Sequence, residues 1–139
     1  MIRDPILETR SMADTTAELL ELNQRLLNAI GAGDWSSYAG LCDPSLTAFE
    51  PEALGQLVAG LEFHKFYFDL GPGTGPRKDT MCSPHVRLMG DVAVLSYVRL
   101  VQKLSQQQPQ MSAVEETRVW QRQSGKWKHV HFHRSPVGG

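Results

Sequence analysis

The sequence predicts an α+β domain, in which a long N-terminal helix and shorter helical segments close one face of a strongly curved antiparallel sheet. Two observations carry this. Apolar residues recur at spacings of three and four early in the chain, then alternate with polar ones through most of its second half. Helices followed by a run of strands, with short turn sequences between the strands, is the order of an α+β fold rather than of repeated βαβ units.

"TAELLELNQRLLNAIGAGD" is the first helix. Thr15 and Glu18 have the spacing of a capping box, and Leu19, Leu22, Leu26 and Ile30 form an apolar stripe with Leu20 and Leu27 beside it. Gly31 and Gly33 end it. "DWSSYAGLC" predicts a second, short helix with Asp34 as N-cap, and "SLTAFEPE" a short strand broken at Pro51. In "EALGQLVAGLEFHKFYFDL" the residues Leu54, Leu57, Val58, Leu61 and Phe66 have roughly helical spacing despite two glycines, so a helix is expected there. "GPGTGPRKD" is a loop. The stretches "TMCSPHVRLMG", "VAVLSYVRLVQKL", "SAVEETRVWQRQ" and "KWKHVHFHR" read as strands joined by Gly90-Asp91, by a polar connection "SQQQPQ" and by "SGK".

At 139 residues, with 41% apolar and 21% charged residues, the chain can bury a core without disulfide or metal staples. Residues 1–13 read as a leader or linker, 14–135 as one domain and 136–139 as a tail; Pro5 interrupts the first stretch and "MADTT" offers a second start at Met12. A net charge of -1 supplies no global basic field for nucleic acid or an anionic membrane, so neither is expected as a partner. No apolar run approaches the ~20 residues of a membrane span. Cys42 and Cys82 match no metal or redox spacing and read as reduced thiols, which places the protein in the cytoplasm.

The strand faces carry the candidate chemistry. Arg99 shares a face with Leu95, Tyr97 and Val101; Arg118 with Glu116 and Trp120; Arg134 with Val130 and Phe132. If those apolar neighbours point inward, three guanidinium groups enter one cavity and need acceptors, because an unpaired buried charge costs several kcal/mol. Glu50, Glu52, Glu115 and Glu116 could supply part of the compensating charge and a bound small carboxylate the rest, since a guanidinium fork matches a carboxylate. His129, His131 and His133 alternate on the opposite face of the last strand and read as structural or interface imidazoles rather than metal ligands.

"CDPSLTAFEPEALGQLVAGLEFHKFYFD", "HVRLMGD", "YVRL", "EETRVW" and "GKWKHVHFHRS" resemble the association, or hub, domain of calcium/calmodulin-dependent protein kinase type II, over a span from about Ala17 to Ser135. The resemblance implies a nuclear-transport-factor-two-like cone and a non-catalytic role: assembly into two stacked rings, with a deep pocket whose arginines bind small carboxylates. The positions matching that pocket are Arg99, Arg118 and Arg134, with His64 in "EFHKFYF" and Tyr38 in "WSSYAGLC". No cofactor or metal is implied; the partners are other copies of the chain and a kinase or other fused or recruited domain. The loops "GPGTGPRKDTMC" and "SQQQPQ" depart from the family pattern, which favours a stand-alone hub-like protein. The alternative from related cone folds is an enzyme of the polyketide cyclase or ketosteroid isomerase type, with Glu50 and His64 as its acid–base pair. Treatment with a divalent-metal chelator is expected to leave the melting temperature unchanged; a loss of stability that zinc restores would make the histidines ligands.

Overall fold

In the computed structural model, residues 11–138 are described, so most of the expected leader and the final glycine lie outside the described residues. Helix α1 runs Met12–Ala32. It starts a turn earlier than the capping box predicted: the Ser11 hydroxyl accepts from the Asp14 N–H at 3.1 Å, and Thr15 is buried inside the helix. It stops at Gly33, which adopts φ 66° and donates its N–H to the carbonyls of Ala29 and Ile30. A Cβ there would meet Pro72 Cδ at 2.9 Å, so this position requires glycine twice over.

Helix α2 spans Trp35–Leu41, capped by Asp34 as expected, and leads directly into strand β1 at Cys42–Phe49. The long helix predicted from Ala53 onward does not form as one piece. A 3-10 turn at Pro51–Ala53 is followed by Leu54 at φ 54° and Gly55 at φ 87°, then by strand β2 at Val58–Ala59, and only Glu62–Asp69 is helix α3. Sheet pairing overrides helical spacing here, since β2 pairs with β1 and Gly60, at φ 83°, donates its N–H to the Leu46 carbonyl at 2.7 Å.

Strands β3 (Arg77–Met89), β4 (Val92–Ser105), β5 (Gln108–Gln123) and β6 (Lys126–Pro136) follow as a meander. The "SQQQPQ" connection contracts to Gln106 and Gln107, both at positive φ, and "SGK" to Ser124 and Gly125, also both positive. Paired left-handed residues match the right-handed twist of the flanking strands and keep the hairpins long. The sheet order is β2-β1-β6-β5-β4-β3, with every neighbouring pair antiparallel except β1 and β6.

The register shifts at three places, one of them between Cys42 and Thr47 where β1 pairs with β6, and two others lie within the meander. One lies between Cys82 and His85, where Ser83 takes φ 50°. The other lies between β5 and β6: Val119 opposes His131 while Trp120 opposes His129, so Val130 is an extra residue. Leu19, Leu26 and Leu27 of α1 meet Leu46, Leu95, Trp120 and Phe132 in one core on the concave side. The alternate residues Val94, Val98, Leu100 and Val119 lie on the other side of the sheet and are only half-buried.

Asn23 replaces an apolar residue in the buried stripe of α1. It is fully buried, its Oδ1 accepts from Trp120 Nε1 at 3.0 Å, and its Nδ2 donates to the Tyr97 hydroxyl at 2.9 Å. Asn23→Ala orphans both partners and is expected to cost about 2–4 kcal/mol in urea unfolding at matched protein concentration; a neutral effect would mean that α1 is held by its leucines alone.

Candidate functional site

The concave face carries a buried charge network built on adjacent strands. Tyr97 on β4 stands opposite Glu116 on β5, which stands opposite Arg134 on β6. Glu116 Oε2 accepts from Arg99 Nη1 at 2.8 Å and from Arg118 Nη2 at 3.1 Å, and its Oε1 accepts from the Tyr97 hydroxyl at 2.7 Å. Burial alone would raise the Glu116 carboxyl, but Arg118 and Arg99 outweigh it and hold the group below its ordinary value. Burial likewise opposes the Arg118 charge, and Glu116 more than restores it, raising this guanidinium above the usual range. Desolvation pushes Tyr97 up to about 12, so the phenol keeps its proton and donates it to Glu116.

Arg99 is also tied to Asp79, with Nε 3.2 Å from Oδ2, and Arg77 grips the same carboxylate through Nε at 2.7 Å and Nη2 at 3.0 Å. Arg134 pairs with Glu52 and lies 3.6 Å from Glu50 Oε2. Burial would raise Glu52, and its bond to Arg134 brings it below the ordinary carboxylate range instead. Glu50 Oε1 in turn lies 3.1 Å from His64 Nε2. Both ring nitrogens of His64 are buried, and neither makes a well-formed hydrogen bond among the described residues.

These groups enclose a cavity of about 200 Å³ lined by Tyr38, Glu50, His64, Arg99, Arg118 and Arg134 among others, so the structure brings together every site residue that the sequence singled out. Glu52, Phe68 and Phe132 complete much of the wall. Arg118 lies over the Phe132 ring at 4.5 Å, and Tyr38 is packed between Trp35 and Phe68. The volume fits a molecule of few heavy atoms.

Sequence reasoning missed four members of the network. Asp79 falls in the stretch that predicts a loop, although its two-residue spacing from Met81 continues the strand, and Glu115, expected as a counter-charge, is exposed. Asn23 was hidden in a leucine stripe, and Tyr97 was noted only as an apolar neighbour. The fourth, His129, was placed on the wrong face. The bulge at Val130 turns it inward, where its ring stacks on Phe132 at 5.7 Å while His131 and His133 remain on the other side beside Phe49. Alternation holds on each side of a bulge and fails across it.

The chemistry of His129 follows from its neighbours. Arg118 Nη1 lies 3.3 Å from Nε2, and a guanidinium can only donate, so Nε2 accepts and the ring proton resides on Nδ1, 3.5 Å from Cys42 Sγ. Burial, then Arg118, push its pKa well below the ordinary 6.5, and burial raises the Cys42 thiol to about 12; both groups are neutral. Among the described residues no cluster of three or more His, Cys, Asp or Glu side chains could hold a metal.

A stability–pH dependence follows. Below 6.5 the unfolded chain protonates at His129 while the folded chain does not, so stability present above that pH declines as pH falls. The decline from this residue should approach about 1.4 kcal/mol per pH unit. Urea unfolding between pH 7.5 and 5.5 should show a shallower slope in His129→Gln; equal slopes would mean that the ring titrates freely. Glu116 adds a second decline below its ordinary 4.5, in the same direction.

Comparison with known proteins places this architecture. The family model for the calcium/calmodulin dependent protein kinase II association domain matches residues 15–138. The delta subunit of calcium/calmodulin-dependent protein kinase type II from Oryctolagus cuniculus is 48% identical over 122 residues, which is 85% of this chain and 23% of that protein. The chain thus spans less than a quarter of the length of that relative. The solved hub homology domain of the C. reinhardtii kinase is 53% identical, with a TM-score of 0.84 over 88% of this chain and 98% of that one. A nuclear transport factor 2-like protein of Salmonella enterica, 20% identical, superposes with a TM-score of 0.76 over 93% of this chain and 95% of the other, which shows the fold. No helix among the described residues is long and apolar enough to cross a membrane. On the breadth of the family match and the identity to its members, the chain belongs to the calcium/calmodulin-dependent protein kinase II association domains, built on a nuclear-transport-factor-2-like cone.

Proposed function

We propose that this chain is a non-catalytic, cytoplasmic hub: residues 14–135 self-assemble into two stacked rings, a kinase or other fused or recruited domain is carried on them, and the cavity binds small carboxylates. Family membership supports the assembly. So does the side of the sheet away from the core, where Val94, Val98, Leu100 and Val119 are half-buried and Phe49 is exposed. An apolar sheet face of this extent is the kind of surface that a second copy covers.

The observation that carries the ligand reading is the unsatisfied His64. A buried imidazole without a hydrogen bond, in a cavity that also holds Arg134, fits a ligand with a carboxylate for the guanidinium and a hydroxyl for the ring. Tyr38 and Phe68 would cover its short carbon body.

Light scattering at micromolar concentration should give a ring-sized particle of roughly ten subunits or more, and Val94→Asp with Val98→Asp should reduce it; a monomeric wild type would sink the assembly reading. Calorimetric titration with lactate should show modest binding, roughly micromolar to millimolar, because so small a ligand gains little in total. Arg134→Ala should weaken that binding by about 1.5–3 kcal/mol without changing particle size.

One contact favours a second reading, an enzyme of the cyclase or isomerase type: Glu50 and His64 lie 3.1 Å apart in the cavity. Arg134 holds the same carboxylate from the other side, which weakens it as a base. Deuterium exchange into a small ketone, lost in Glu50→Gln, would establish that alternative.

A further inference from the structure

The cavity and its immediate supports contain as many carboxylates as guanidinium groups. Arg77, Arg99, Arg118 and Arg134 face Asp79, Glu116, Glu50 and Glu52. A monoanion entering this neutral set would leave one negative charge uncompensated in a confined space, at a substantial electrostatic cost. Entry is favourable if one resident carboxylate leaves as the ligand arrives.

The four acids differ in their freedom to leave. Glu116 and Asp79 are buried, and each is gripped by two arginines. Glu50 has a side-chain exposure of 6% and lies 3.1 Å from His64 Nε2 and 3.6 Å from Arg134. Glu52 is 37% exposed and paired with Arg134. It sits in the 3-10 turn just before Leu54 and Gly55, both of left-handed backbone. Rotation of its side chain toward water restores hydration at little cost. Its partner is the complementary one: Arg134 is 20% exposed, against 7% for Arg99 and 1% for Arg118, so it is the guanidinium that an incoming ligand can reach.

Resting on the carboxylate reading above, we infer that Glu52 is a resident counter-ion and built-in competitor: a ligand carboxylate binds by displacing Glu52 from Arg134, and Glu52 thereby sets the affinity of the cavity. Exchange keeps the site neutral, with one carboxylate replacing another on the same fork. Glu52 is therefore an affinity-determining residue that is not itself required for binding.

The test is calorimetric titration of the full chain with lactate and with propionate, comparing wild type, Glu52→Gln, Arg134→Ala and the charge control Glu62→Gln on the exposed face of α3. Glu52→Gln should bind at least roughly tenfold more tightly than wild type, because removing the competitor returns a charge-assisted bond to the ligand. Glu62→Gln should match wild type, and Arg134→Ala should bind at least roughly tenfold more weakly. Binding by Glu52→Gln with none detectable in wild type would also support the exchange. Equal or weaker binding by Glu52→Gln, or an equal gain in Glu62→Gln, would overturn it while leaving the cavity a carboxylate site. Absence of binding in wild type and Glu52→Gln alike would overturn the carboxylate reading and this inference with it.

Discussion

The Glu116 carboxylate, buried between Arg99 and Arg118 at the centre of the concave face, is the constraint on which the other elements depend. Desolvating three charges costs several kcal/mol per ion, and only close, well-aligned contacts recover it. Every available direction around the group is therefore occupied. Tyr97 donates to one oxygen while two guanidinium groups donate to the other. Tyr97 must in turn be held in place, and Asn23 of α1 does this while also receiving the Trp120 N–H. The docking of the long helix on the sheet is thus coupled to the charge at its centre, and a change at either place is felt at the other.

That commitment decides what the cavity has left to offer. Arg118 is engaged on Glu116, Tyr97 and His129, and Arg99 on Glu116 and Asp79. Both line the cavity and shape its potential, but Arg134, at 20% side-chain exposure against 7% for Arg99 and 1% for Arg118, is the most accessible of the three. The three arginines that look equivalent along their strands are therefore different in kind. Two are framework and one is poised toward the opening, a distinction set by depth rather than by residue type.

Where the sequence was legible, a simple period governed the structure. The four long strands, the capped second helix and the faces that Arg99, Arg118 and Arg134 share with apolar residues follow from alternation and turn chemistry alone. Tyr38 and His64 came instead from the family resemblance, since nothing in their spacing marks them as facing a cavity. Three features escaped because a non-local pairing overrode the local signal. The segment from Ala53 to Leu61 has helical spacing, but β1 offers it a sheet edge and Gly55 and Gly60 accept the left-handed turns needed to reach it. The alternation that placed His129 outside was broken by one extra residue, Val130, and a bulge leaves little trace in a sequence of β-formers. The internal counter-charges were visible in part: Glu116 shares a face with Arg118, whereas Asp79 lies far from Arg99 in the chain and meets it only because β3 pairs with β4.

Strand β5 shows how two roles coexist in so small a domain. Its residues Glu116, Arg118 and Trp120 point inward to the charge network, while Glu115, Thr117 and Val119 point outward to the side of the sheet left open in a single chain. Because side chains alternate strictly where there is no bulge, neither set can shift register without carrying the other to the wrong side. The buried ion pairs make such a slip very costly, since every charge would be moved away from its partner. The buried charge network therefore also fixes the geometry of the open side of the sheet. This gives a specific sense to keeping ionic groups in a core where leucines would serve stability alone: they define one register of the sheet.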